Sequence, residues 1–321
     1  MILKQYQISD NKGLVVSVIP YGATITSICF NEQELTLNYT KPDDYFNDNF
    51  YLGSTVGRFA NRIKESKFKL SGKESTLNAN QGAHCLHGGK DNFSKRIWEV
   101  IEVKPNAIEL YLFSKNGDQG FPGNLEVWLK IQVEDNQVRL NYRASTDRNT
   151  VVNLTNHCYF NLESPQASID NHLLEIVSDS FLSIDKQGIP LTKQQVSNHN
   201  AFNFNDTKPI HHALLSEHEQ IQQANGLDHC FVLANQAEKA LVLAAQLLSP
   251  ETRLKLSLYT TLPGVQVYTG NFLSTPFSPR QGVCLEAQYW PDAPNRKDFP
   301  SSELKAGEEY IHEIVYQFSA F

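Results

Sequence analysis

The feature that most constrains the fold of this chain is an apolar–polar alternation of period two. From Leu125 the sequence runs Leu-Glu-Val-Trp-Leu-Lys-Ile-Gln-Val. Leu125, Val127, Leu129, Ile131 and Val133 fall on one side of an extended chain, and Glu126, Lys130 and Gln132 on the other. Successive side chains of a strand point to opposite faces, whereas a helix would scatter this pattern around its axis. Glu134-Asp135-Asn136-Gln137 is turn chemistry, and Val138, Leu140, Tyr142 and Ala144 then alternate again. Two alternating runs on either side of a short polar turn predict a hairpin.

The same period recurs. Leu254, Leu256 and Leu258 alternate with Arg253, Lys255 and Ser257, and shorter strand-like runs lie at 14–19, 98–103, 108–113 and 174–177. Helical signal is sparse. The one predicted helix is 209–223, with Pro209 near its start and Ile210, Ala213, Leu214 and Ile221 on one side. The neighbouring His199, His211, His212 and His218 read as surface loop residues. No linker, low-complexity tract or internal repeat interrupts the chain. With 321 residues, 40% of them hydrophobic, it has enough apolar surface for a large core. The expected fold is all-β, a large antiparallel sandwich with few short helices, formed as one domain over 1–321.

Net charge is 28 − 35 = −7, which argues against a nucleic-acid or anionic-membrane partner. The cysteines, Cys29, Cys85, Cys158, Cys230 and Cys284, are odd in number, scattered and never in a CxxC pair. They read as reduced thiols. No apolar signal region is visible in 1–10, and no stretch approaches a membrane span. The expected compartment is the cytoplasm.

Several segments place polar groups where strands should be apolar. The run Val283-Cys284-Leu285-Glu286-Ala287-Gln288-Tyr289-Trp290 reads as a strand in which Val283 and Leu285 share one face and Cys284, Glu286 and Gln288 the other. Glu286 is a solvated glutamate on an edge strand or a carboxylate held inside for chemistry. The run Asn153-Leu154-Thr155-Asn156-His157-Cys158-Tyr159-Phe160-Asn161-Leu162 is strand-like, with His157 sharing a face with Thr155 and Tyr159. A lone histidine is more often a hydrogen-bonded structural residue. The density of donors around this one suits a hydroxyl-rich ligand. Gly57-Arg58-Phe59-Ala60-Asn61-Arg62-Ile63 puts two arginines within a strand's length, as ordinary basic surface or as paired donors. His84 and His87 have HxxH spacing, but a zinc site is rejected, because i and i+3 face opposite ways in a strand and no third ligand lies nearby in sequence. Asp228 follows an Asn-Gly turn, and Gln266 and Tyr268 share a strand face.

Taken together, these segments resemble the galactose mutarotase (aldose 1-epimerase) family. The matching stretches are GRFANRI at 57–63, HCLHGG at 84–89, GDQGFPGNLEVW at 117–128, TNHCYFNL at 155–162, GLDHCFVL at 226–233, GVQVYTGNF at 264–272 and LEAQYWPDAPN at 285–295. The resemblance implies Glu286 as general base and His157 as general acid. It implies His87 as a sugar contact that assists the acid, and Asn61, Arg62, Asp228 and Gln266 as ligands of sugar hydroxyls. It also implies the family's β-sandwich, with the site in a cleft on its concave side and neither cofactor nor metal. Ala287 stands where the family often has Thr.

The implied reaction opens and recloses the ring of a free aldose such as galactose or glucose, interconverting its α and β anomers. A base removes the C1 hydroxyl proton while an acid protonates the ring oxygen, so neither charged intermediate forms alone. With reference values of about 4.3 for Glu and about 6.5 for His, Glu286 is ready to act near neutrality, and His157 needs a neighbour that raises its pKa. The expected pH profile is a bell whose upper limb that histidine sets. Tyr159, Tyr268, Phe121 and Trp290 are candidates to stack on the sugar, and 121–123 to rim the site. Two rivals stand beside this reading. One is an epimerase of a phosphorylated hexose, with Arg58 and Arg62 as phosphate ligands. The other is a non-catalytic carbohydrate-binding module. The expected partners are a sugar and at most a second copy of the chain, as monomer or homodimer.

Overall fold

The hairpin forms as the alternation requires. Strand Leu125–Glu134 pairs in antiparallel register with Gln137–Thr146, Leu125 opposite Thr146 and Val133 opposite Val138. The turn is tighter than its polar stretch suggested. Glu134 and Gln137 belong to the strands, and only Asp135 and Asn136 turn, both with positive φ. Left-handed backbone at both central residues matches the twist of the flanking strands, and Asp and Asn tolerate it. Leu125, Val127, Leu129, Ile131 and Val133 are fully buried. Each contributes roughly 1.5–3 kcal/mol through removal of its side chain from water.

The computed structural model describes residues 3–164, 166–233 and 240–321. The hairpin sits in a nine-stranded sheet. Its order is Glu99–Lys104, Ala107–Ser114, Leu125–Glu134, Gln137–Thr146, Glu309–Ala320, Leu254–Thr260, Val242–Ser249, Leu173–Ile176 and Lys208–Pro209. A six-stranded sheet runs Tyr159–Phe160, Val283–Gln288, Gly264–Tyr268, Asp228–Val232, Ser180–Ile184 and Pro190–Gln195. A four-stranded sheet forms from the N-terminal strands between Tyr6 and Glu34. Every ladder between these strands is antiparallel.

The main core fills the space between the two larger sheets. It joins Leu129, Ile131, Leu140, Leu256, Leu258 and Ile314 of the nine-stranded sheet to Phe231, Val265, Val267, Val283 and Leu285 of the six-stranded one. That packing positions the site. Val283, Leu285 and Ala287 occupy the core face of their strand, so Cys284, Glu286 and Gln288 project from the opposite face. That face is also buried, by loops laid across it. All six residues of Val283–Gln288 are buried, and the strand is internal, which excludes the solvated-edge alternative for Glu286.

Three local expectations are corrected. The predicted helix at 209–223 is two short helices, His211–Leu214 and Glu219–Ala224, with Pro209 in a strand. The break falls where Ser216 Oγ accepts from the His218 amide and His218 Nδ1 caps the second helix by accepting from Gln220 N. His199, His211, His212 and His218 are half-buried, and His199 Nδ1 bonds His218 Nε2 at 2.9 Å. The polar run at 153–162 is not one strand. It forms strands Thr155–Asn156 and Tyr159–Phe160 in different sheets, with His157 and Cys158 between them.

Candidate active site

Three adjacent strands of the six-stranded sheet present Glu286, Gln266 and Asp228 on its loop-covered face. Glu286 lies opposite Gln266 in register, and Asp228 opposite Tyr268. Gln266 Nε2 donates to Asp228 Oδ1 at 2.6 Å. Glu286 is 2% exposed, and its Oε2 has no protein partner. A buried carboxylate oxygen without a donor is costly unless a ligand supplies one.

His157 is delivered by backbone. Its amide donates to Ser54 O, and its carbonyl accepts from Gly53 N. Asn156 Nδ2 donates to Gly53 O and Asn156 Oδ1 accepts from Cys158 N, fixing the segment on both sides of the histidine. The imidazole is bracketed by two residues of one strand face. Glu286 Oε1 stands 3.7 Å from Nε2 and Cys284 Sγ 3.5 Å from Nδ1.

His87 sits at positive φ between Leu86 and the Gly88-Gly89 pair. A Cβ at Gly88 would fall 2.1 Å from Gly57 O, which explains why glycine follows the histidine. His87 Nδ1 accepts from Asn61 N at 3.1 Å, so a neutral ring carries its proton on Nε2. Its ring meets that of His157 edge-on, centroids 5.3 Å apart, and Tyr51 packs against both. Arg62 is held by Gln81 Oε1, 2.7 Å from its Nε, and by Asp228 Oδ2, 3.6 Å from a terminal nitrogen.

These groups enclose a cavity of about 270 Å³. Asn61, Arg62, His87, His157, Asp228 and Glu286 line it, with Tyr159 and Tyr268. Gln266 does not. It lies behind Asp228, buried and bonded to it. Sequence reasoning missed Tyr51, Gln81 and Phe272 on the cavity wall. Gln81 had a faint signal in its closeness to HCLHGG. Phe272 closes the GVQVYTGNF stretch but carried no polar group to mark it, and Tyr51 had no signal, because an isolated aromatic reads as core.

Other expectations fail at this site. Phe121 is fully buried against Phe68, and Trp290 packs on Phe299 and donates to Pro263 O, so neither can stack on a ligand in the cavity. The 121–123 segment does not rim the site. Pro122 and Gly123 carbonyls accept from the buried Arg58, whose guanidinium also bonds Ser114 Oγ, Ser114 O and Lys115 O. Arg58 is a structural cation, and a phosphate site built on Arg58 and Arg62 together is excluded. His84 turns away to Gln187 and Glu65.

Electrostatics reverse the sequence-based expectation for His157. Burial lowers its pKa to about 4, against a smaller raising effect from its own backbone carbonyl and Asp228. Burial lowers His87 well below its ordinary value, helped by His157 and Arg62. Burial raises Glu286 well above its ordinary value, Asp228 adds to the rise, and Arg62 opposes it. Desolvation therefore outweighs the neighbouring carboxylate that was expected to charge the histidine.

Donor atoms of His87, His157 and Glu286 lie within 4.8 Å of one another, close enough for one ion to span. The trio comes from distant segments, so the absence of a nearby third ligand in sequence was no guide. His87 fits such a site poorly. Its free nitrogen carries the proton, and ligation would break its bond from Asn61 N.

A buried carboxylate beside an imidazole on the wall of a polar cavity, on a large antiparallel sandwich, defines an acid–base enzyme for a small hydroxyl-rich molecule. A profile of the Aldose 1-epimerase family matches residues 4–317. The chain belongs to the aldose 1-epimerase family. It is 36% identical over 326 residues to the aldose 1-epimerase of Escherichia coli K12, covering 97% of this chain and 94% of that one. It is also 36% identical to the human galactose mutarotase over 321 residues, 95% and 91% of the two chains. Among solved structures, a GalM/aldose epimerase homologue from C. elegans superposes with a TM-score of 0.91 at 28% identity, covering 99% of both chains. A galactose 1-epimerase from Lactobacillus acidophilus gives 0.89 at 28% identity over 99% and 95%.

Proposed function

We propose that this chain is an aldose 1-epimerase that interconverts the α and β anomers of free aldohexoses such as galactose and glucose, with Glu286 as base and His157 as acid. The observation that carries the reading is the Glu286–His157 juxtaposition, 3.7 Å apart and buried on the cavity floor. Glu286 takes the proton of the C1 hydroxyl, and His157 Nε2 gives one to the ring oxygen. The C1–ring-oxygen bond breaks, and the open aldehyde forms. Rotation about C1–C2 and the reverse transfers close the ring on the other face and restore both groups. The reaction is redox-neutral, so the reading requires no cofactor.

A carboxyl raised well above its ordinary value is a stronger base than an ordinary glutamate once ionised, and a depressed imidazole is a stronger acid once protonated. His87 offers Nε2–H as a neutral donor. Arg62, Asn61 and Asp228 supply directional bonds to hydroxyls, with Gln266 orienting Asp228. Tyr159 and Tyr268 offer apolar faces. The free thiols of all five cysteines suit a reducing compartment, and the reading places the enzyme in the cytoplasm. No helix among the described residues is long and apolar enough to cross a membrane.

Equilibrium exchange between the anomeric proton resonances of galactose tests the reading. Catalytic amounts of protein should accelerate it, EDTA should leave the rate unchanged, and glucose 6-phosphate should compete poorly. Loss of exchange on chelation would transfer the chemistry to an ion at the His87–His157–Glu286 trio.

A further inference from the structure

Arg62 has polar partners on three sides: Gln81, Asn61 Oδ1 at 3.5 Å and Asp228. Its fourth side is closed by backbone. The turn at 185–188 brings Gly188 against the guanidinium, with φ +78°, and a Cβ there would stand 2.7 Å from Arg62 Cζ and 2.8 Å from Nε. The turn and Arg62 both line a second cavity of about 340 Å³, which shares Arg62, Gln81, Asp228 and Phe272 with the first. Arg62 is thus a partition between two spaces, with room to swing away from the first.

The turn is itself fastened. His84 Nδ1 accepts from Glu65 N at 2.9 Å, which puts the proton of the neutral ring on Nε2, facing Gln187 Oε1 at 2.9 Å. Asp185 Oδ1 accepts from the amides of Gln187 and Ile189. We propose that the 185–188 turn is a positioning element for Arg62, with Gly188 fixing where the guanidinium lies and the His84–Gln187 bond holding the turn down. The inference rests on the reading of Arg62 as a ligand of sugar hydroxyls. A flexible cation fixed before the sugar arrives loses less freedom on binding.

Gly188→Ala probes this directly. The colliding group is the far end of a flexible side chain, so a methyl displaces the guanidinium; alanine at φ +78° also strains the turn, a cost that the Arg62→Ala background carries equally and the cycle subtracts. The test is a double-mutant cycle on galactose mutarotation. Gly188→Ala should raise KM about tenfold with kcat within about threefold, because uniform binding is lost. Gln187→Ala, which removes an exposed side chain and only the tether, should raise KM in the same direction by about threefold. In an Arg62→Ala background, Gly188→Ala should change kcat/KM by less than about twofold, the signature of residues acting through one another. The same fold-loss with and without Arg62, or an unchanged KM in both Gly188→Ala and Gln187→Ala, overturns the inference while Arg62→Ala still raises KM. An unchanged KM in Arg62→Ala alone overturns the reading of Arg62 as a ligand and the inference with it.

Discussion

Glu286 and His157 are neighbours, 3.7 Å apart, and the proposed mechanism needs one proton between them. Burial holds His157 at about 4, and burial with Asp228 holds Glu286 well above its ordinary value. Below about pH 4 a second proton reaches the histidine, both groups are protonated, and no base remains. As pH rises through the elevated Glu286 value, the last proton leaves and no acid remains. The expected kcat/KM profile is a bell with its acid limb near pH 4, both limbs belonging to the pair. A profile without a descending alkaline limb contradicts the shared-proton account. The sequence also leads to an expected bell, but with the histidine setting its upper limb; burial on both strand faces, which residue types do not reveal, reassigns the limbs. The two arginines divide in the same way. Arg58→Ala strips donors from four carbonyls, two of them buried, and from a buried hydroxyl, and should cost at least about 3 kcal/mol in urea unfolding. Arg62→Ala should fold normally and raise KM at least about tenfold. Equal stability of the two variants would refute the assignment of Arg58 as a structural cation.

At the scale of elements, period two proved a reliable guide where one face meets the core and the other meets water. The hairpin at 125–146 has its predicted faces, with a shorter turn, whereas Val283–Gln288 stops two residues short of the predicted 283–290 and is buried on both faces. The pattern predicts a sharp contrast within one strand. Leu129→Ala should cost about 2–5 kcal/mol through the cavity it leaves, and its exposed neighbour Lys130→Ala should stay within about 0.5 kcal/mol. Comparable losses at both positions, measured by urea denaturation, would contradict the facing. Period analysis failed at 153–162 and 209–223 for a physical reason. In the first, backbone bonds to Gly53 and Ser54 replace a ladder, so polar side chains are buried without alternation. In the second, side-chain bonds from Ser216 and His218 compete with helix propagation.

Across the whole molecule, the fold keeps several histidines neutral. Burial lowers His157 and His172 to about 4 and His229 to about 3. A depressed folded pKa contributes stability that is full above the unfolded value of about 6.5 and is lost as pH falls toward the folded value. Tm should therefore decline between pH 6.5 and about 4, in the single transition expected of one domain. A Tm constant across that window would contradict burial of these rings as neutral groups. The whole-chain family match ties the fold to a class of chemistry, and the proposed mechanism assigns that chemistry to Glu286 and His157. Polarimetry of freshly dissolved α-galactose tests the central claim most directly. Wild-type protein should hasten the decay to the equilibrium rotation, and Glu286→Gln and His157→Asn, folded by circular dichroism, should lose at least about 10²-fold of that acceleration. Near-wild-type decay with Glu286→Gln would place the base elsewhere and contradict the account.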